Sequence, residues 1–244
     1  MGELGHRGIG MGAALLLALG VAAGGMAVGQ GLERFRSADR SVTVKGLAEQ
    51  DVESDYAVWT LQFRRGGNEF GAVQKALAED RDRVVAFLEG LGFADAEVEV
   101  RPLQVQDLLA REYGAGSNQL LRFQGTGQVL VKSARPKDVE SAALAVDPLI
   151  QAGVQLGGGD RPAGPRYQLR GFNEIKAPLL AQATRNAREQ AQKFAAEAGA
   201  RLGPLRSANQ GVIQIGSGDG QGFDDGSARV KRLRVVSTFQ YALD

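Results

Sequence analysis

The sequence predicts an α+β fold with a largely antiparallel sheet in ferredoxin-like βαββαβ order. A long helix and closing strands are added, and one N-terminal transmembrane helix precedes the whole. Three observations predict it. From about residue 54, short runs of alternating apolar and polar residues are interleaved with helical patterns in that order. A three- and four-residue periodicity runs through residues 178–198. Residues 8–32 carry no charge.

The uncharged run comes first along the chain. As a helix it spans roughly 37 Å, enough to cross a bilayer with some tilt. Arg7 precedes it, and Glu33, Arg34 and Arg36 follow. A cleavable signal peptide is the competing reading, with Ala27-Val28-Gly29 as its small-residue site. The run is longer than such a peptide's apolar region, which favours a retained anchor. Gly8/Gly12, Gly20/Gly24 and Gly25/Gly29 are each four apart, a spacing that lets helix backbones approach closely in lipid. The expected organisation is a tail at 1–7, an anchor (or uncleaved signal) at 8–32, a linker at 33–40 and a folded domain at 41–244.

Within that domain, Val42 and Val44 alternate with polar residues, a half-buried strand. Ala57, Trp59, Leu61 and Phe63 form the heavier side of a second strand, with Trp59 in the core. Asn68 is placed to cap a helix through about Leu91, with Phe70, Val73, Leu77, Val84, Leu88 and Leu91 on its apolar side. Gly90 and Gly92 stop it. Strands follow near 96–106 and 119–133, joined by a turn-like tip at 113–118. Pro136 opens another helix carrying Val139, Ala142, Val146, Leu149 and Ile150, which Pro148 kinks or shortens. Tyr167 to Arg170 is a short strand. The long helix places Leu180, Ala183, Ala187, Ala191, Phe194 and Ala198 on one face, with Pro178 in its first turn and Gly199 past its end. A face so rich in alanine requires a close partner, and a sheet suits it. Strands near 205–215 and 229–243 close the chain.

The run Asn173-Glu174-Ile175-Lys176, then Ala183-Thr184-Arg185-Asn186-Ala187-Arg188, Leu202-Gly203 and Asn209-Gln210-Gly211 resembles the C-terminal half of the SIMPL-domain family, in particular its membrane-anchored branch from bacterial envelopes. Ser41 to Glu49, Asp55 to Trp59 and Arg234 to Tyr241 support the same resemblance. That branch usually has proline directly after the lysine; here Ala177 stands there and Pro178 follows, moving the expected helix start by one residue. The resemblance implies an inner-membrane, single-pass protein with its soluble domain in the periplasm and a link to envelope stress tolerance. Charge counting alone points the other way. Arg34, Arg36 and Arg40 against Arg7 would keep the domain in the cytoplasm, although long domains translocate largely regardless of such counts.

The composition closes off much chemistry. There is no cysteine, so disulfides, thiolate catalysis and cysteine-bound metals are excluded. The one histidine, His6, lies in the tail, which removes histidine triads and histidine-bound zinc from the folded part. A net charge of +1 gives nucleic acid no footing. The Gly-rich stretch 216–226 lacks the Lys-Ser/Thr ending of a phosphate loop and the spacing of a dinucleotide fingerprint. It reads as a hairpin loop, with cation binding as the alternative. Asp80/Asp82 and Asp224/Asp225 are paired in sequence but have no apolar surround suited to acid–base work. Lys231, Arg232 and Arg234 read as a solvated or edge-protecting run; an electrostatic contact with a partner subunit or anionic lipid is the alternative.

No catalytic, cofactor-binding or metal residue is assigned, and no cofactor is expected. Three function classes follow. The first is a non-enzymatic envelope protein that self-associates or scaffolds a partner of unknown identity. A small-ligand or lipid-binding module, with a groove between the long helix and the sheet, is the second. The third, a hydrolase or transferase, would need a Ser-Lys or carboxylate constellation. Homo-oligomerisation is expected from the anchor's glycine pairs and from the last strand, taken to lie at a sheet edge with Val235 to Leu243 uncharged.

Overall fold

The computed structural model describes residues 20–22, 24–26, 40–110, 121–157, 164–220 and 222–244. Most of the expected anchor, the 113–118 tip and residues 158–163 lie outside them. The described part of the anchor, 20–22 and 24–26, is helical and exposed. Among the described residues no helix is long and apolar enough to cross a membrane.

The strands are β1 (Ser41–Glu53), β2 (Tyr56–Gly67), β3 (Val98–Val100), β4 (Gln104–Asp107), β5 (Phe123–Ser133), β6 (Arg166–Gln168), β7 (Leu202–Ser217) and β8 (Val230–Leu243). The helices are α1 (Phe70–Gly90), α2 (Pro136–Leu144), α3 (Asp147–Gln151) and α4 (Phe172–Glu197). They divide into two compact units. One includes residues 40–48, Leu180–Val212 and Val235–Asp244; the other is Glu49–Leu179 with Ile213–Arg234. Residues of β1, β7, β8 and α4 are shared between them.

The larger unit holds the ferredoxin-like part. Its sheet runs β3-β5-β2-β6, with β4 also on β5, and every pairing is antiparallel. This is the interleaved order that βαββαβ connections produce. Ala57, Trp59, Leu61 and Phe63 alternate inward on β2, and Val129 and Val131 do so on β5. Against them α1 buries Val73, Leu77, Val84 and Leu88, and α2 adds Val139 and Ala142. The helical run after Pro136 breaks between Leu144 and Asp147, as expected of Pro148. Two details depart from the sequence expectation. Asn68 does not cap α1, because its Oδ1 accepts the Arg122 N–H at 3.0 Å instead. Phe70 and Leu91 are largely exposed, since the helix ends overhang the sheet; Phe70 packs edge-on against the Phe123 ring, centroids 5.8 Å apart.

In the smaller unit α4 packs by a narrow stripe. Leu179, at the border of the larger unit, begins a run of buried residues that continues as Ala183, Ala187, Ala191 and Ala195, a strict step of four. This corrects the expected face: Leu180 is only partly buried, Ala198 is exposed, and Phe194 is 59% exposed. The reason is spacing. A Cβ added at Gly46 of β1 would overlap the Ala183 carbonyl and the Ala187 methyl, so helix and strand meet nearly backbone to backbone. No phenyl ring fits in that gap. Val44, Phe239, Tyr241 and Leu202 complete this small core. The helix also starts earlier than expected, at Phe172, leaving Pro178 inside it and removing one i→i−4 hydrogen bond. Its end is as expected. Gly199 has φ +65°, Ala200 N–H donates to the Ala195 carbonyl at 2.9 Å, and Gly199 N–H to Ala196 at 3.0 Å.

The second sheet has the order β1-β8-β7. Leu243 N–H meets the Arg40 carbonyl, Arg234 pairs with Glu49 and Arg232 with Asp51, so β8 runs antiparallel to β1. The last strand is therefore central. The expectation that it forms a sheet edge is wrong, because strand order is set by tertiary pairing and not by position in the chain.

The stripe yields a stability ranking. Gly46→Ala and Ala187→Leu should each lower unfolding free energy by about 1–3 kcal/mol through overpacking. Phe194→Ala, at an exposed site, should change it by less than about 0.5 kcal/mol in the same urea titration.

Candidate functional site

The paired carboxylates do not act as pairs. Asp80 falls on the buried stripe of α1 between Leu77 and Val84, so its carboxylate is fully buried. Arg65 of β2 reaches it in bidentate fashion, Nε to Oδ2 at 2.5 Å and Nη2 to Oδ1 at 2.7 Å, and Arg83 adds a third bond at 3.1 Å. This hydrogen bonding raises the pKa of Arg65. Asp82 is exposed and meets its neighbour Arg81. The helical period already placed residue 80 inward, so the signal was present in the sequence.

In the Gly-rich loop Asp224 and Asp225 are both committed. Asp224 Oδ1 accepts Lys231 Nζ at 2.5 Å and the Gly226 N–H at 2.9 Å. Asp225 Oδ1 accepts the Ser227 hydroxyl and N–H, which lower its pKa, and the Asp225 carbonyl accepts Arg166. Among the described residues no group of acidic or histidine side chains is arranged to hold a metal ion. Lys231 is 1% exposed and is not part of a solvated run. It alternates inward with Leu233 and Val235, while Arg232 and Arg234 point outward to Asp51 and Glu49. Strand period dictates this: 231 and 233 share a face.

A polar cleft of about 300 Å³ is lined by Glu53, Ser54, Arg135, Pro136, Lys137, Asp138 and Arg229. It lies at the start of α2, which Pro136 opens. Glu53 accepts Lys137 at 3.1 Å and Arg229 at 3.1 Å, and Lys137 first, then Arg229, pulls its pKa down. Arg229 also donates to Glu140 at 2.8 Å. Beside the cleft, Arg135 reaches Glu97 at 2.7 Å, Ser133 Oγ donates to it at 2.5 Å and the Ala94 N–H at 3.0 Å. Arg135 foremost, then the Ser133 hydroxyl and that N–H, outweigh partial burial and hold the Glu97 carboxyl at about 2. Ser54 Oγ is buried without a hydrogen-bond partner. Every cation lining the cleft faces a carboxylate, so the cleft offers hydrogen bonds to a small polar group and little net attraction for an anion.

Fold and clusters together define a mixed α+β protein with antiparallel sheets and a balanced ion-pair surface. The chain belongs to the SIMPL family, described as a protein of unknown function (DUF541), matched over residues 42–234. No curated protein matches it.

Two outcomes test this electrostatic account. Lys231→Ala should destabilise by about 3–5 kcal/mol, since it strands a partly buried carboxylate; Arg232→Ala, at an exposed pair, should cost far less. Glu97 has a folded pKa below its unfolded value near 4.3. Its contribution is therefore complete above about pH 4.3 and is lost as pH falls through about 2. With screening at this partly exposed site it amounts to about 1–2 kcal/mol. Thermal unfolding of Glu97→Gln should show a shallower acid-side decline than the parent.

Proposed function

We propose that the chain is a non-enzymatic, membrane-anchored envelope protein whose folded part self-associates or scaffolds a partner. The observation that carries this reading is the uncharged run 8–32 placed directly ahead of a family-matched domain. The anchor holds the protein at the inner membrane as a single pass, with the domain in the periplasm. The branch of the family that the sequence resembles supports that location and a role in envelope stress tolerance. The non-enzymatic reading is supported by how the buried polar groups are engaged. The buried carboxylate Asp80 and the buried amine Lys231 are locked in ion pairs, and the buried hydroxyl of Ser54 has no base bonded to it.

Binding of a small polar ligand is the second reading, and its support is the cleft beside Ser54. A groove between α4 and the sheet is less suited to it, because at Gly46 helix and strand leave no room for a ligand.

The anchor is tested by washing membranes with alkaline carbonate. The chain should stay in the membrane fraction at full length. Release of a soluble form beginning near residue 30 would show a cleaved signal and overturn the reading.

A further inference from the structure

The two edges of the β1-β8-β7 sheet are built differently. β1 carries Lys45, Glu49, Asp51 and Glu53, the charges that blunt an edge against foreign strands. β7 carries a single charge, Arg206, in sixteen residues, and residues 207–217 carry none. Most of its side chains are exposed, with Leu205 at 51% and Val212 at 84%. Among the described residues none from 203 to 215 makes a backbone hydrogen bond outside the sheet, and the following loop meets the strand at its last two residues, Gly216 through Phe223 and Ser217 through the Gly220 N–H. Pro204 and Arg206 protect the first third of the strand; nothing comparable protects the rest.

A long, uncharged edge with exposed apolar residues is a template for another strand. Its charge pattern selects the occupant. When a strand pairs antiparallel with its own copy about a two-fold axis, residues near the axis face themselves or close neighbours, so any charge there meets its like. The run after Arg206 meets that condition. With the axis at Val212, Val212 faces Val212, Gln210 faces Gln214 and Asn209 faces Ile215.

We propose that residues 209–215 of β7 pair antiparallel with the same residues of a second copy, about a two-fold axis at Val212. This rests on the self-association reading above and names the surface that carries it.

The chain has no cysteine, which makes the register directly testable. In the full chain in detergent, Val212→Cys places two thiols across the axis, within the separation a disulfide spans. Mild oxidation should convert most of it to a covalent dimer. Leu205→Cys, also exposed on the same strand, lies roughly 46 Å from its copy in this register and should stay uncrosslinked. Val212→Lys and Val212→Glu should each run as monomers by light scattering, and mixing them should restore a dimer. A parent that is oligomeric by mass, with no Val212→Cys crosslink or with unchanged charge variants, overturns the β7 proposal and leaves self-association to another surface. A monomeric parent that does not crosslink overturns both.

Discussion

The smaller unit depends on one short contact, Gly46 of β1 against Ala183 and Ala187 of α4. Glycine on the strand and alanine on the helix are the only residue sizes compatible with that approach, and the contact fixes what can lie on either side of it. Each buried alanine methyl removes little apolar surface, about 0.8 kcal/mol. The stripe therefore holds by close dispersion contact and not by large hydrophobic side chains. Its step of four keeps it one residue wide, which leaves Phe194 outside in spite of its apolar character. The Asn186 side chain continues the same contact by accepting the Leu47 N–H at 3.1 Å. With β1 pinned under the helix and β8 beside it, β7 remains the open edge.

The larger unit uses a different device. Its core is conventional in size, built on Trp59, Phe63, Leu77 and Leu88, yet two charges are buried at its margins. Asp80 and Lys231 each sit where a local period turns them inward, and each is satisfied by an opposite charge delivered from another element. Such pairs add little net stability compared with apolar residues of the same shape, but removing one partner is severe. Both groups are thereby engaged inside the fold, Asp80 by three hydrogen bonds from two arginines and Lys231 by Asp224.

What the sequence made legible was local. Alternation in 57–63, the helical repeat of α1, and the glycine at 199 each report a property of a few neighbouring residues, and each is where it was expected. The βαββαβ order followed from listing those elements. The misses are non-local. Asn68 looked like a cap until the backbone of Arg122, 54 residues away, took its side chain. The last strand looked like an edge because it ends the chain, and β7 covers it. Phe194 looked buried because the width of a helix contact is set by its partner, here a glycine 148 residues earlier in the chain. Lys231 and Asp80 are different again. Period alone placed both inward; reading Lys231 as solvated and Asp80 as lacking an apolar surround gave residue type more weight than position.

The contact between Gly46 and α4 can be observed without altering it. In protein carrying labelled alanine methyls, a nuclear Overhauser cross-peak is expected between the Gly46 α-protons and the Ala187 methyl. No cross-peak should link those protons to the Phe194 ring. Detection of the Phe194 contact, with none to Ala187, would place a large side chain between helix and strand and contradict the account.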